Sequence, residues 1–172
     1  MDLKSKIREV PDWPIKGVNF KDISTVLEDP TALKQMIDQL LVPYKGQKVD
    51  KIVGIDARGF LLCSAMAYLL DVGCTMIRKK GKLPPKTVSK EYALEYGTDT
   101  IEMHDDSIKP GEKVIIVDDL LATGGTMSAT IDLVNQLKAD IIGISFVVEL
   151  TFLNGREKLG DYPIYSLVEY DA

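Results

Sequence analysis

One stretch of this chain constrains its fold more than any other: Val114-Ile115-Ile116-Val117-Asp118-Asp119-Leu120-Leu121-Ala122-Thr123-Gly124-Gly125-Thr126. The unbroken apolar run at its start reads as a strand buried on both faces, as in a parallel sheet. Two carboxylates stand at the carboxyl end of that strand, a Thr-Gly-Gly-Thr turn follows, and a helical pattern begins. Glycines let backbone N–H groups approach an anion closely, and a helix N-terminus adds positive partial charge. Ionised carboxylates only accept hydrogen bonds, which suits a vicinal diol that must donate them. Strand, paired acids, glycine turn and helix therefore assemble a ribose-phosphate site. The competing reading is a plain strand-to-helix turn with a capping acid. It leaves two acids unexplained at the end of a core strand, where burial without partners is costly.

Two commoner phosphate loops are excluded. The chain contains neither G-x-x-x-x-G-K-[ST] nor G-x-G-x-x-G, so it carries no nucleoside-triphosphate loop and no dinucleotide fingerprint.

The rest of the pattern surrounds that unit with others like it. Residues 2–9 read as a short amphipathic helix, and residues 11–21 are punctuated by proline and glycine around Trp13. Asp29-Pro30-Thr31 opens a helix over residues 30–42, with Leu33, Met36, Ile37, Leu40 and Leu41 on one face. Strands are expected at residues 49–55, 74–77, 113–117, 141–149 and 164–169. Helices are expected at 58–70, 125–138 and, briefly, 154–159. Residues 79–105 form a long excursion, a hairpin pairing 86–92 with 99–104. Alternating strands and helices imply βαβ units and a mainly parallel sheet flanked by helices. Ligands of such sheets bind beyond the carboxyl ends of the strands. The loops at 56–59 and 118–126 and the end of the strand before Leu150 all fall on that rim.

Composition narrows the partners. A chain of 172 residues with 45% apolar residues is expected to form one domain with a real core. Its net charge of −5 argues against general nucleic-acid binding. The longest near-apolar run, residues 60–70, is too short to span a bilayer, and the N-terminal residues do not resemble a signal peptide. Cys63 and Cys74 lack C-x-x-C spacing and read as reduced thiols of a cytoplasmic protein. Arg78, Lys79, Lys80, Lys82, Lys86 and Lys90 fall in a segment without any acid. That segment is either a solvated basic loop or a mobile lid over a polyphosphate.

Smaller motifs are weaker taken singly. Asp56-Ala57-Arg58-Gly59 offers a glycine-bounded turn and a planar arginine fork for phosphate oxygens. A cation at a helix start is mildly unfavourable, which hints at an anionic partner. Glu95-Tyr96-Gly97, on its own, reads as a hairpin turn with a solvated acid. His104, the sole histidine, lies in an alternating strand pattern and reads as structural. No cluster has metal-ligand spacing.

Taken together, these segments resemble the type I phosphoribosyltransferases, and among them the members that use adenine. The 114–126 motif is similar to the family's site for 5-phosphoribosyl 1-diphosphate (PRPP). The resemblance also rests on Asp56-Ala57-Arg58-Gly59-Phe60, Arg78-Lys79-Lys80-Gly81-Lys82-Leu83-Pro84, Glu149-Leu150-Thr151 and Gly155-Arg156, and within it the adenine branch is indicated by Val10-Pro11-Asp12-Trp13-Pro14-Ile15-Lys16-Gly17-Val18-Asn19-Phe20-Lys21-Asp22-Ile23 and Leu94-Glu95-Tyr96-Gly97.

The resemblance implies an α/β fold of one domain, with an N-terminal base-binding hood at residues 1–28 and a flexible hairpin flap at 79–105. It implies Mg²⁺-dependent transfer of the phosphoribosyl group from PRPP to adenine, giving AMP and diphosphate, in the cytoplasm and as a homodimer. A phosphoribosyltransferase for another purine, or a non-catalytic PRPP-binding regulator, remains an alternative. The roles carried over place Ala122, Thr123, Gly124, Gly125 and Thr126 on the 5-phosphate, and Asp118 and Asp119 on the ribose hydroxyls. Asp56, Ala57, Arg58, Gly59, Arg78 and Lys82 fall on the diphosphate, with Arg58 also catalytic. Arg78 is expected to reach toward a neighbouring subunit, and the 56–57 peptide to be cis. Asn19, Phe20, Lys21 and Leu150 hold the base, Glu95 moves its proton, and Tyr96 places the flap. Mg²⁺ comes with the substrate's phosphates and water, without dedicated protein ligands.

Overall fold

The computed structural model describes residues 2–94 and 96–172. In chain order the elements are α1 (Leu3–Lys6), β1 (Arg8–Val10), β2 (Phe20–Asp22), α2 (Ser24–Leu27), α3 (Pro30–Leu41), β3 (Lys51–Ile55), α4 (Arg58–Leu70), β4 (Gly73–Lys79), β5 (Thr87–Ala93), β6 (Thr98–His104), β7 (Lys113–Leu121), α5 (Gly125–Gln136), β8 (Asp140–Leu150) and β9 (Ile164–Tyr170). The large sheet has the order β5-β6-β4-β3-β7-β8-β9. Strands β4, β3, β7, β8 and β9 run parallel, and the β5–β6 hairpin joins antiparallel at the β4 edge.

Strand alternation builds a core on each face of the sheet. From β7, Ile115 and Val117 pack with Met36, Leu40, Leu62 and Met66 of α3 and α4. Val114 and Ile116 face the other way, toward Leu133 and Val134 of α5 and Met103 of β6. Burial on both faces explains the uninterrupted apolar run. The chain leaves β3 through α4 toward β4 on one side, and continues from β7 through α5 toward β8 on the other. The switch point of the sheet thus lies between β3 and β7, where ligands of doubly wound sheets bind.

Local signals placed α3 well: Asp29 accepts hydrogen bonds from Thr31 N (3.0 Å) and Ala32 N (3.2 Å), with Pro30 in the first turn. Four differences from the sequence expectation stand out. The 2–9 helix stops at Lys6, and Arg8–Val10 instead pairs antiparallel with Phe20–Asp22. One short turn of helix is weak by itself, and the partner strand lies too far along the chain for local periodicity to register. Strand β7 runs on through Asp118 and Asp119, because β8 keeps pairing as far as Leu121↔Glu149. The hairpin register is Thr87↔His104 to Ala93↔Thr98, and β6 also pairs with β4, so the excursion is an edge of the sheet. Finally, residues 151–158 form two short 3₁₀ turns.

Candidate active site

A cleft of about 420 Å³ opens at the switch point. Four segments line it: Asp56, Ala57 and Arg58 after β3; Arg78 and Lys79 at the end of β4; Tyr92 and Ile101 of the hairpin; and Asp118 through Met127. Pairing between β3 and β7 ends at Gly54↔Val117, whereas β8 continues beside β7. The two acids are therefore presented where one neighbouring strand has already turned away into the 56–57 loop. The peptide between Asp56 and Ala57 is cis, as expected.

The 123–126 turn has the shape of an anion cradle. Gly124 has φ +88°, and a Cβ there would sit 2.6 Å from the Gly155 carbonyl oxygen. Only glycine meets both demands. The space beside Gly125 is open, with nothing within 4 Å of where a Cβ would stand, at the N-terminus of α5. That opening and its backbone N–H groups suit a phosphate.

The cradle is braced from behind by a segment that local reading did not interpret. A Cβ on Gly155 would meet the Ala122 carbonyl oxygen at 2.5 Å, so the two backbones touch. The next residue, Arg156, bonds both carboxylate oxygens of buried Glu149 through Nε at 2.9 Å. Ser166 Oγ donates to the same carboxylate at 2.6 Å. Burial pushes the Glu149 carboxyl up, but Arg156 and Ser166 outweigh it and hold it below its ordinary value. A charged residue inside the β8 pattern was the available signal.

Acids and arginines in the cleft are paired. Arg58 Nε donates to Asp119 Oδ2 at 2.5 Å, and Arg78 Nε to Asp56 Oδ2 at 3.0 Å. Both contacts use Nε, so the Nη nitrogens of each fork are not spent on them. Burial lowers the Arg58 pKa, yet the bond to Asp119 together with the charges of Asp119, Asp118 and Asp22 outweighs it, and the net shift is upward. Burial and the charge of Asp119 push the Asp118 carboxyl well above the ordinary range. The Asp119 N–H donates to Asp118 Oδ1 at 2.8 Å. Arg78 lines the cleft of its own chain.

The sequence-predicted residues divide in two. Asp56, Ala57, Arg58, Arg78, Asp118, Asp119, Ala122, Thr123, Gly124, Gly125 and Thr126 are brought together in the cleft. Gly59 is buried beneath it, where a Cβ would lie 3.1 Å from Asp118 Oδ1; it serves the close approach of α4 to β7. Lys82 and Tyr96 are exposed and are not among the residues lining the cleft. Glu95 lies outside the described residues. Phe20 and Lys21 belong to the β1–β2 ribbon beside the cleft, Asn19 immediately precedes β2, and Leu150 ends β8 opposite Tyr170. The ribbon meets the cleft through Phe20, whose ring centre lies 5.8 Å from Arg58 Cζ. Lys79 and Tyr92 also line the cleft and had not been assigned there.

Comparison with known proteins agrees with this geometry. Residues 24–169 match the family model of the phosphoribosyl transferase domain. The chain is 58% identical over 171 residues to an adenine phosphoribosyltransferase of Acetivibrio thermocellus, covering 99% of this chain and 100% of that relative. It is similar to the crystal structure of adenine phosphoribosyltransferase from Thermoanaerobacter pseudethanolicus, with a TM-score of 0.94, 50% identity and 98% of each chain covered. The Saccharomyces cerevisiae enzyme of that name, complexed with an imino-altritol bisphosphate and adenine, superposes with a TM-score of 0.91 at 39% identity, covering 96% of each chain.

Proposed function

The chain belongs to the phosphoribosyltransferase family, and from that premise we propose that it transfers the 5-phosphoribosyl group of PRPP to N9 of adenine, giving AMP and diphosphate in purine salvage. One observation carries the reading: a single cleft holds a backbone phosphate cradle, two acids and two arginine forks, with an aromatic ribbon at its rim. The names of the curated relatives support adenine as the acceptor.

The division of labour follows from charge. Residues 122–126 take the 5-phosphate, and Asp118 and Asp119 accept bonds from the ribose hydroxyls. Entry of PRPP exchanges Arg–Asp pairs for Arg–phosphate and Asp–hydroxyl contacts, so Asp119 and Arg58 are held ready by each other. Breaking the C1′–O bond leaves positive charge on the ribose and negative charge on diphosphate. The forks of Arg58 and Arg78, the backbone at residues 56–59 and Lys82 stabilise the departing anion. Phe20 and Leu150 sandwich the base, and the backbone of Asn19 and Lys21 reads its edge. Glu95 removes the imidazole proton as N9 bonds to carbon. Residues 79–105 act as a flap that excludes water, with Tyr96 placing its tip, and residues 1–28 act as the hood of this single domain.

The donor set fits Mg²⁺ brought with the substrate's phosphates. Asp118 and Asp119 offer hard oxygen atoms at the cleft to a hydrated ion. Bound there, Mg²⁺ would neutralise phosphate charge. A homodimer is supported by the exposed apolar residues Leu61, Tyr68 and Leu69 on α4 and Met76 on β4. Among the described residues no helix is long and apolar enough to cross a membrane. We place the reaction in the cytoplasm, where the free thiols Cys63 and Cys74 and a phosphorylated substrate are both at home.

Base choice tests the proposal. Backbone groups cannot switch polarity: a carbonyl that accepts from the adenine amine opposes the oxygen of hypoxanthine. In parallel assays with PRPP, adenine should be preferred over hypoxanthine and guanine by roughly 10⁴-fold in kcat/KM. Comparable values would overturn the base assignment.

A further inference from the structure

Tyr92 lines the cleft from the hairpin. The Thr126 hydroxyl, in the first turn of α5, donates to the Tyr92 phenolic oxygen at 3.4 Å. Two further contacts tie the same strand to the same helix. Lys90 Nζ lies 3.3 Å from Asp132 Oδ2, and Gln136 Nε2 donates to the Ser89 carbonyl at 3.3 Å. Strand β5 thus runs along α5, and Tyr92 falls at the helix end that carries the anion cradle. Opposite Tyr92 across the hairpin is Asp99, whose carboxylate binds Lys79, itself a cleft residue. A phenol accepting from Thr126 keeps its own proton to donate. In the free protein that proton faces the Asp99 carboxylate; an anion seated in the open space beside Gly125 offers it a second charged acceptor, and bonds to charged acceptors are the strong ones.

We propose that Tyr92 is a further ligand of the 5-phosphate, a donor delivered from the hairpin to the anion held by the 123–126 turn. The proposal rests on the phosphoribosyl reading of that turn and not on the choice of base. It makes the turn end of the hairpin part of substrate binding, so a bound phosphate fastens the hairpin to α5 at its functional end.

Calorimetric titration with ribose 5-phosphate tests this on the full chain, using the wild type, Tyr92→Phe and Gln136→Ala. Tyr92→Phe should weaken binding by about tenfold or more and raise the KM for PRPP, while the KM for adenine and the melting temperature hold. Gln136→Ala removes a neighbouring tie to Ser89 from the helix side without touching the cleft, and should leave ribose 5-phosphate affinity unchanged. Unchanged affinity in Tyr92→Phe would overturn the proposal. So would equal losses in both variants, which would make Tyr92 a strut between hairpin and helix. A wild type that does not hold ribose 5-phosphate would sink the proposal together with the phosphate cradle. A wild type that holds it but rejects adenine would overturn the base assignment and leave the Tyr92 comparison decisive.

Discussion

The phosphate cradle and the N-terminal ribbon adjoin the same cleft and are built in opposite ways. The cradle is contiguous in sequence, continues a central strand, and is backed by Gly155 and the buried Glu149–Arg156 pair. The ribbon joins residues 8–10 to residues 20–22 at the periphery. It is held by the Arg8–Asp22 ion pair (2.5 Å) and by an edge-to-face contact of Trp13 with Phe20 at 4.7 Å. Lys21 turns its side chain inward: it is 3% exposed, with Nζ 3.4 Å from Glu9 Oε1 and 4.1 Å from the Tyr170 ring centre. Only its backbone is left to face the rim. In the proposed reading a generic anion falls to a device built from contiguous residues, and the variable part of the substrate to a thin, long-range one.

The largest expected effect separates the two regions at the acids. Replacing Asp118→Asn and Asp119→Asn together removes charged hydrogen bonds of about 1.5–3 kcal/mol each, so kcat/KM should fall by roughly 10²–10⁴-fold. Stability should hold, because the Asp118 carboxylate is disfavoured by its own burial. Near-native kinetics in a folded variant would remove the cradle's role with ribose.

Next comes the cradle itself. In Gly125→Ala the new Cβ enters open space in the free protein, so melting temperature should change little. It occupies the anion's position, and the KM for PRPP should rise about tenfold or more as a charge-assisted bond is lost. An unchanged KM would move the phosphate elsewhere.

The ribbon is expected to respond on the base side alone. Phe20→Ala loses stacking worth about 1–3 kcal/mol and should weaken adenine, hypoxanthine and guanine together without moving the KM for PRPP. Lys21→Ala should lower the melting temperature through lost packing while leaving base selectivity as it was. A selectivity change there would show that the side chain reads the base.

The smallest effect is a pH dependence confined to the ribbon. Bonds from Ser24 and Arg8 hold the Asp22 carboxyl down from 3.8 to about 2. A lowered carboxylate pKa contributes stability above the unfolded value and loses it as pH falls through the folded one. Emission of Trp13, the sole tryptophan, should therefore shift between about pH 4 and pH 2, and Asp22→Asn should abolish that transition. A flat emission profile in the wild type would show that Asp22 does not hold the ribbon.

What local residue order settled is what neighbours along the chain can settle. Asp29 caps α3 and Pro30 opens it. The apolar run of β7, its two acids and the glycine turn define a strand, a cradle and a helix, because each part acts on residues within a few positions of it. The resemblance to a family added roles for Arg58, Arg78 and the ribbon that spacing alone does not supply. Only the tertiary structure decided how far β7 runs, since β8 continues to pair beyond the point where β3 departs. It alone paired Arg58 with Asp119 and Arg78 with Asp56, set Gly155 against Ala122, and brought Tyr92 to Thr126. Those partners are separated by between 22 and 61 positions where their bonds are made by side chains. No periodicity encodes such separations. They are chosen by the packing of two cores against one twisted sheet, which places distant loops on a common rim and leaves each buried charge to find its counterpart there.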